Sequence, residues 1–214
     1  MKRTVTAEYA PTKRTKTNKR KQYVPTRISR GPVFDPTPNS VKVRMRYCKY
    51  VDLASNLDPS DITYASFRAN SVYDPDYAIG GRKACGMELY SDMYSKYRVL
   101  KSYIKVTPAT NNALGVYFIM KSPRNVLPET MIEQVIEKKE TKWKTCRDES
   151  SSCLNYFNLK EDKSLDQENW TSMGGNPQQD WFYFIGTNSG NATAFIVEIM
   201  YDVELSDRKP LVSG

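Results

Sequence analysis

From residue 41 onward, apolar and polar positions alternate in short blocks. Val41, Val43, Met45 and Tyr47 interleave with Lys42, Arg44, Arg46 and Cys48, the period-two pattern of a strand with one face on a core and the other on solvent. Strand signals of this kind recur at 41–51, 62–70, 97–106, 113–121, 139–146, 153–159, 181–187 and 193–205, separated by turn sequences such as Asn56-Leu57-Asp58-Pro59 and Pro108-Ala109-Thr110-Asn111-Asn112. Helical spacing is confined to 128–138, where Met131 and Val135, with Ile132 and Ile136, fall three and four apart, and to a turn or two near 87–96. The polar stretch 160–180, with Gly174-Gly175-Asn176-Pro177, reads as a surface loop. Eight strands with long insertions predict an all-β fold, an eight-stranded antiparallel sandwich. A jelly roll fits best, and an immunoglobulin-like sandwich is the runner-up on strand count.

The charge distribution divides the chain. Residues 1–30 hold ten cations (Lys2, Arg3, Lys13, Arg14, Lys16, Lys19, Arg20, Lys21, Arg27 and Arg30) against Glu8 alone, a net of +9; the other 184 residues hold 22 basic and 23 acidic side chains, a net of −1. With Pro11 and Pro25 and few large aliphatics, this arm cannot bury enough apolar surface to offset ordering, so disorder is expected. Such an arm neutralises phosphates without reading base edges. Lys13, Arg14, Lys16, Lys19, Arg20 and Lys21 are also dense enough to serve as a nuclear localisation signal. Gly31 to Asn39, with three prolines, is an extended linker. The expected division is a basic arm over 1–35 and a β domain over 36–214.

The remaining features narrow the chemistry. No apolar run is long enough for a membrane span, and Lys2-Arg3 is followed by no signal-peptide core. The sequons at Asn169 and Asn191 therefore carry no expected glycan, and Cys48, Cys85, Cys146 and Cys153 are expected as free thiols. Cys146 and Cys153 lack metal-ligand spacing, and there is no histidine. In Asp74-Pro75-Asp76, two carboxylates can hold a calcium ion between subunits or simply cap a turn fixed by Pro75; the turn is favoured. Tyr73, Asp74, Asp76 and Tyr77 are candidate interface residues. Pro75-Asp76 with Glu137-Lys138-Lys139 matches a loose metal-nuclease pattern, which Glu140-Thr141-Lys142 matches equally well. With no phosphate loop and no nucleophile motif either, an enzyme is not expected, and nothing implies a cofactor.

Three stretches carry a resemblance: Phe67-Arg68-Ala69-Asn70-Ser71-Val72-Tyr73-Asp74-Pro75-Asp76, then Gly80-Gly81, then Tyr94-Ser95-Lys96-Tyr97-Arg98-Val99 with Ser102 to Val106. Over these residues the chain resembles capsid proteins of circular single-stranded DNA viruses encoding a rolling-circle replication protein, the circovirus-like group. After Gly81 it runs Arg82-Lys83-Ala84-Cys85, where many of those proteins carry Gln-Pro-Gly. The resemblance implies a jelly-roll subunit, an icosahedral shell of sixty copies, and an inward arm packaging single-stranded DNA. It also implies entry to the host nucleus through an import receptor and an attachment factor whose identity it does not give. Lys42, Arg44 and Arg46 would extend the arm's positive field if their face lines the shell; the competing reading pairs them with Glu198, Asp202 and Glu204 across the sheet. A cellular nucleic-acid-binding β-sandwich, or the capsid of a small RNA virus or satellite, remains the alternative.

Overall fold

In the computed structural model, residues 38–58, 60–78, 81–109, 115–146, 151–161 and 169–210 are described; the basic residues of 1–30 lie outside them. The strands are β1 (Val41–Leu53), β2 (Thr63–Arg68), β3 (Tyr94–Pro108), β4 (Val116–Ser122), β5 (Thr141–Thr145), β6 (Cys153–Asn158), β7 (Thr171–Ser172), β8 (Phe182–Thr187) and β9 (Thr193–Arg208). Two short helices, α1 (Met87–Met93) and α2 (Ile132–Ile136), join them. All pairing is antiparallel. One sheet runs β1-β9-β3-β6, with β7 on β3; the other runs β2-β8-β4-β5. The first long strand therefore pairs with the last and the second with the next to last, which is the double Greek key of a jelly roll. An immunoglobulin sandwich would pair its first two strands.

The eight sequence-predicted strands are all present, with local differences. β3 starts at Tyr94, directly after α1, and β2 stops at Arg68. There Asn70 breaks the ladder by giving its amide to the Gln179 carbonyl (2.7 Å) and taking the Trp181 N–H (2.9 Å). α2 keeps only five residues of the expected helix, and it is Ile132 and Val135 that are buried, whereas Met131 sits exposed at its N-cap.

The space between the sheets is filled by aromatics, and the buried tyrosines tie the layers together. Tyr201 on β9 donates to the Arg68 carbonyl at the end of β2 (2.8 Å), and Tyr183 on β8 donates to the Ser102 carbonyl on β3 (3.1 Å). Tyr97 donates to the Gly175 carbonyl (2.9 Å) and Tyr117 to that of Ser151. Each ring supplies core area while its hydroxyl keeps a partner, which removes the cost of a buried polar group. Burial pushes the Tyr47, Tyr97 and Tyr117 phenols up to about 12, and raises those of Tyr183 and Tyr201 well above the ordinary value. Because the folded values lie above the unfolded value near 10, the stability held by these protonated rings is complete below pH 10 and is lost as pH rises through about 12. An alkaline titration followed by tyrosinate absorbance and circular dichroism should show these five ionising together with loss of strand signal. Ionisation of all fifteen tyrosines with the dichroism intact would contradict their burial.

A second apolar cluster lies on the outer side of β2-β8-β4-β5. Phe118, Met120, Phe182 and Phe184 point away from the first core and are covered by Leu127, Ile132 and Val135 from the segment joining β4 to β5. β8 is buried on both faces for this reason, matching its uninterrupted run Phe182-Tyr183-Phe184-Ile185. Gly186 is required here: a Cβ on it would stand 2.5 Å from Phe118 Cζ and 3.1 Å from Ile62 Cγ2.

Candidate nucleic-acid and assembly surfaces

β1 alternates as its sequence predicts, with Met45 and Tyr47 in the core and Lys42, Arg44 and Arg46 exposed. Register with β9 places Lys42 opposite Glu204, Arg44 opposite Asp202, and Cys48 opposite Glu198. Arg44 Nε donates to Asp202 Oδ1 at 2.7 Å, and Arg46 pairs with Glu198; each bond raises the guanidinium pKa. Glu204 is taken by Arg98 from the other side (2.8 Å). The cross-strand ion pairs of Arg44 and Arg46 are thus formed, although solvent-exposed pairs of this kind contribute little to stability.

The same face still carries surplus positive charge. Lys42, Arg44, Arg46, Lys96, Arg98, Lys101 and Lys105 oppose Asp52, Glu198, Asp202, Glu204 and Asp207. A bulge between Val99 and Lys101 opens a depression of about 460 Å³, lined by Lys42, Arg44, Leu100, Lys101 and Asp202. Beside it Met200, Tyr103 and Tyr156 follow Arg46 across the sheet in one row, all three exposed. Cations beside exposed aromatic rings suit the phosphates and bases of a single strand. Lys101, Tyr103 and Tyr156 had only the alternation of their strands as a sequence signal, since no pattern announces a bulge.

Charge reversal separates stabilisation from ligand contact on this face. Arg44→Glu with Arg46→Glu places carboxylates against Asp202 and Glu198 and should destabilise the sheet, read as a falling melting temperature of the subunit. Bound nucleic acid should fall as well. Normal nucleic-acid content in the destabilised protein would show that these arginines serve the sheet alone.

The Asp-Pro-Asp loop is folded onto its own cations. Arg68 Nη1 donates to Asp74 Oδ2 (2.6 Å) and to the Asp74 carbonyl (2.9 Å), while its Nε donates to Asp180 Oδ2 (3.1 Å). Asp76 is buried, paired with Lys49, and accepts the Ala78 N–H at 3.1 Å. Gly81 closes the loop where a Cβ would meet Asp74 Oδ1 at 2.8 Å. The two carboxylates hold different cations, and of the two only Asp76 accepts a backbone N–H; no cluster of three or more potential metal ligands occurs among the described residues. Tyr73 is half-buried under the Lys83 ammonium, and Tyr77 stays exposed, stacked on Arg68 (4.9 Å) with its ring edge to face against Phe182. The Arg68–Asp180 pair was not foreseeable, because its members are 112 positions apart.

Cys48, Cys85, Cys146 and Cys153 are free thiols, and burial pushes the last two up in pKa. No helix among the described residues is long and apolar enough to cross a membrane.

No protein-family model and no curated protein matches the chain. Solved structures do. The 60-mer BFDV capsid protein aligns with a TM-score of 0.53 over 82% of this chain and 97% of its own, at 7% identity. Cocksfoot mottle virus aligns at 0.51 over 79% and 97%, at 8% identity, and Melon necrotic spot virus at 0.55 over 79% and 56%, at 16% identity. At such identities the likeness is one of fold: the chain has the jelly roll found in viral capsid proteins.

Proposed function

We propose that the chain is a viral capsid protein whose jelly roll self-assembles into a small icosahedral shell of sixty copies, with residues 1–35 packaging a single-stranded DNA genome. The observation that carries this reading is the combination of capsid-type strand order with a +9 arm on a body of net −1. Sixty arms would neutralise about 540 phosphates at one charge each. The sheet face bearing Lys42, Arg44 and Arg46 would line the interior, adding its surplus charge and exposed tyrosines. DNA is preferred to RNA because of the motifs between Phe67 and Val106, and BFDV, a circovirus, is among the structural neighbours; RNA-virus capsids share the fold as well. The same arm would carry the subunit to the host nucleus through an import receptor, and the mature protein would reside in the virion without enzymatic activity.

Electron microscopy of the purified chain tests the proposal: closed, uniform particles containing nuclease-protected DNA are expected. A monodisperse monomer or dimer that never forms shells would favour the cellular nucleic-acid-binding alternative. Protected RNA in regular shells would move the assignment to an RNA virus.

A further inference from the structure

Two lysines on the β1-β9-β3-β6 face differ from the other cations around them. Arg44, Arg46, Lys96, Arg98 and Lys105 each pair with a carboxylate. Lys42 and Lys101 have no carboxylate partner among the described residues, because the acids opposite them in register are already held, Glu204 by Arg98 and Asp202 by Arg44. Both lysines line the same depression of about 460 Å³, at the bulge that leaves Leu100 out of the register. Two ammonium groups without a counter-charge at one concave surface form a seat for an anion with several acceptor oxygens.

What that anion is attached to follows from the next row of the sheet. Tyr103 lies two residues from Lys101 on β3, so its side chain leaves the same face about 7 Å further along the strand. In register with it stand Tyr156 on β6 and Met200 on β9. Tyr103 is 39% exposed, Tyr156 48% and Met200 42%. With neighbouring strands about 4.8 Å apart, the three form an apolar strip about 10 Å wide. Cations border it on further sides: Lys105 is two residues beyond Tyr103 on the same strand, and the Lys121 ammonium lies 5.3 Å from the centre of the Tyr156 ring.

This juxtaposition selects among polyanions. An acidic peptide would satisfy the lysines and leave the rings in water. Duplex nucleic acid would do the same, since its bases are stacked inside the helix. A single strand satisfies both sets, with its phosphates on the cations and its bases on the rings.

We propose that this face is a docking track for two or three nucleotides of a single strand: a phosphate sits in the depression between Lys42 and Lys101, and the adjacent bases stack on Tyr103 and Tyr156, with Met200 extending the apolar strip. The rings accept any base, so the track reads strandedness and not sequence. The arm supplies charge, and the sheet supplies the choice of single strand over duplex. That the docked strand is a packaged genome rests on the capsid reading; the docking itself does not.

The test uses the full chain as unassembled subunit in about 0.5 M salt, where the charge contribution of the arm is suppressed. It is titrated with an octamer of deoxyadenosine, the ribose form of that octamer, a DNA hairpin and octaglutamate, followed by fluorescence anisotropy. At least one octamer should bind tenfold or more tighter than the hairpin and octaglutamate, and the tighter octamer names the sugar of the natural strand. Irradiation with an octamer carrying 5-iodouracil should cross-link it to Tyr103 or Tyr156. Tyr103→Ala with Tyr156→Ala should abolish the preference with circular dichroism unchanged, whereas Tyr103→Phe with Tyr156→Phe should keep it. Lys42→Ala with Lys101→Ala should flatten the salt slope by about 0.7, the value of one phosphate contact. Equal binding of octamers and hairpin, equal binding of octaglutamate, or a preference indifferent to the alanine pair overturns the assignment. Shells formed by a chain without the preference would refute the track and keep the capsid; the preference in a chain that never forms shells would refute the capsid and keep the track.

Discussion

A chain lacking residues 1–30 should fold normally and purify almost free of nucleic acid. The deletion removes ten cations and one acid, while among the described residues the core begins at Val41. Each phosphate contacted by a single-strand binder contributes about −0.7 to the slope of log K against log salt, so an arm using most of its ten cations should give a slope near −6 to −7. The truncated chain retains only the modest surplus on the β1-β9-β3-β6 face, and its slope should drop to about −1 or −2, with affinity at least about a hundredfold weaker near physiological salt. Absorbance ratios of purified particles and a salt series with single-stranded DNA measure both quantities, and circular dichroism checks the fold. Undiminished DNA content after truncation would place the packaging charge on the jelly roll.

The largest loss of stability from a single substitution should come at Gly186. Gly186→Val drives two methyl groups into a position where even a Cβ meets Phe118 at 2.5 Å. Phe118 has nowhere to retreat, being fully buried in the cluster with Met120, Ile132 and Val135. Overpacking of this kind costs about 3 kcal/mol or more, and at roughly 2–4 °C per kcal/mol for a domain of this size the melting temperature should fall by about 10 °C. Gly190 provides the control, since nothing lies within 4 Å of a Cβ placed there; Gly190→Ala should stay within about 0.5 kcal/mol of the parent. A melting temperature unmoved by Gly186→Val would mean that the second cluster is loosely packed.

Much of this architecture was legible in the chain because its strands announce themselves by period two, and β8 by a solid apolar run. The pairing of β1 with β9 was also within reach, since their opposite charges alternate with matching phase. The second core was not. Ile132 and Val135 had a helical spacing but nothing to say which surface they cover, and the spacing drew in Met131, which the structure leaves exposed. At the candidate sites, the cations of β1 could be found from their own strand. The clamp of Arg68 between Asp74 and Asp180 depends on two loops meeting, and the depression beside Lys101 on a bulge; neither leaves a local mark. The carboxylates of Asp74 and Asp76 showed the opposite limit: a shared turn brought them close in sequence, yet each was claimed by a different cation.

The place of β9 bears on how the protein is made. It is the last of these strands to be synthesised, yet it lies between β1 and β3 and joins them along nearly its whole length. Until it is synthesised, β1 has no neighbour in its sheet and the interior side of β3 stays open, so the nascent chain must hold aromatic strands unpaired for most of its translation. Such non-local pairing folds slowly and leaves unfinished chains prone to aggregate. A product cut short before Thr193 cannot close the sheet at all. Only polypeptides that include β9 would then reach the folded pool, a proofreading step on translation that comes from strand order alone.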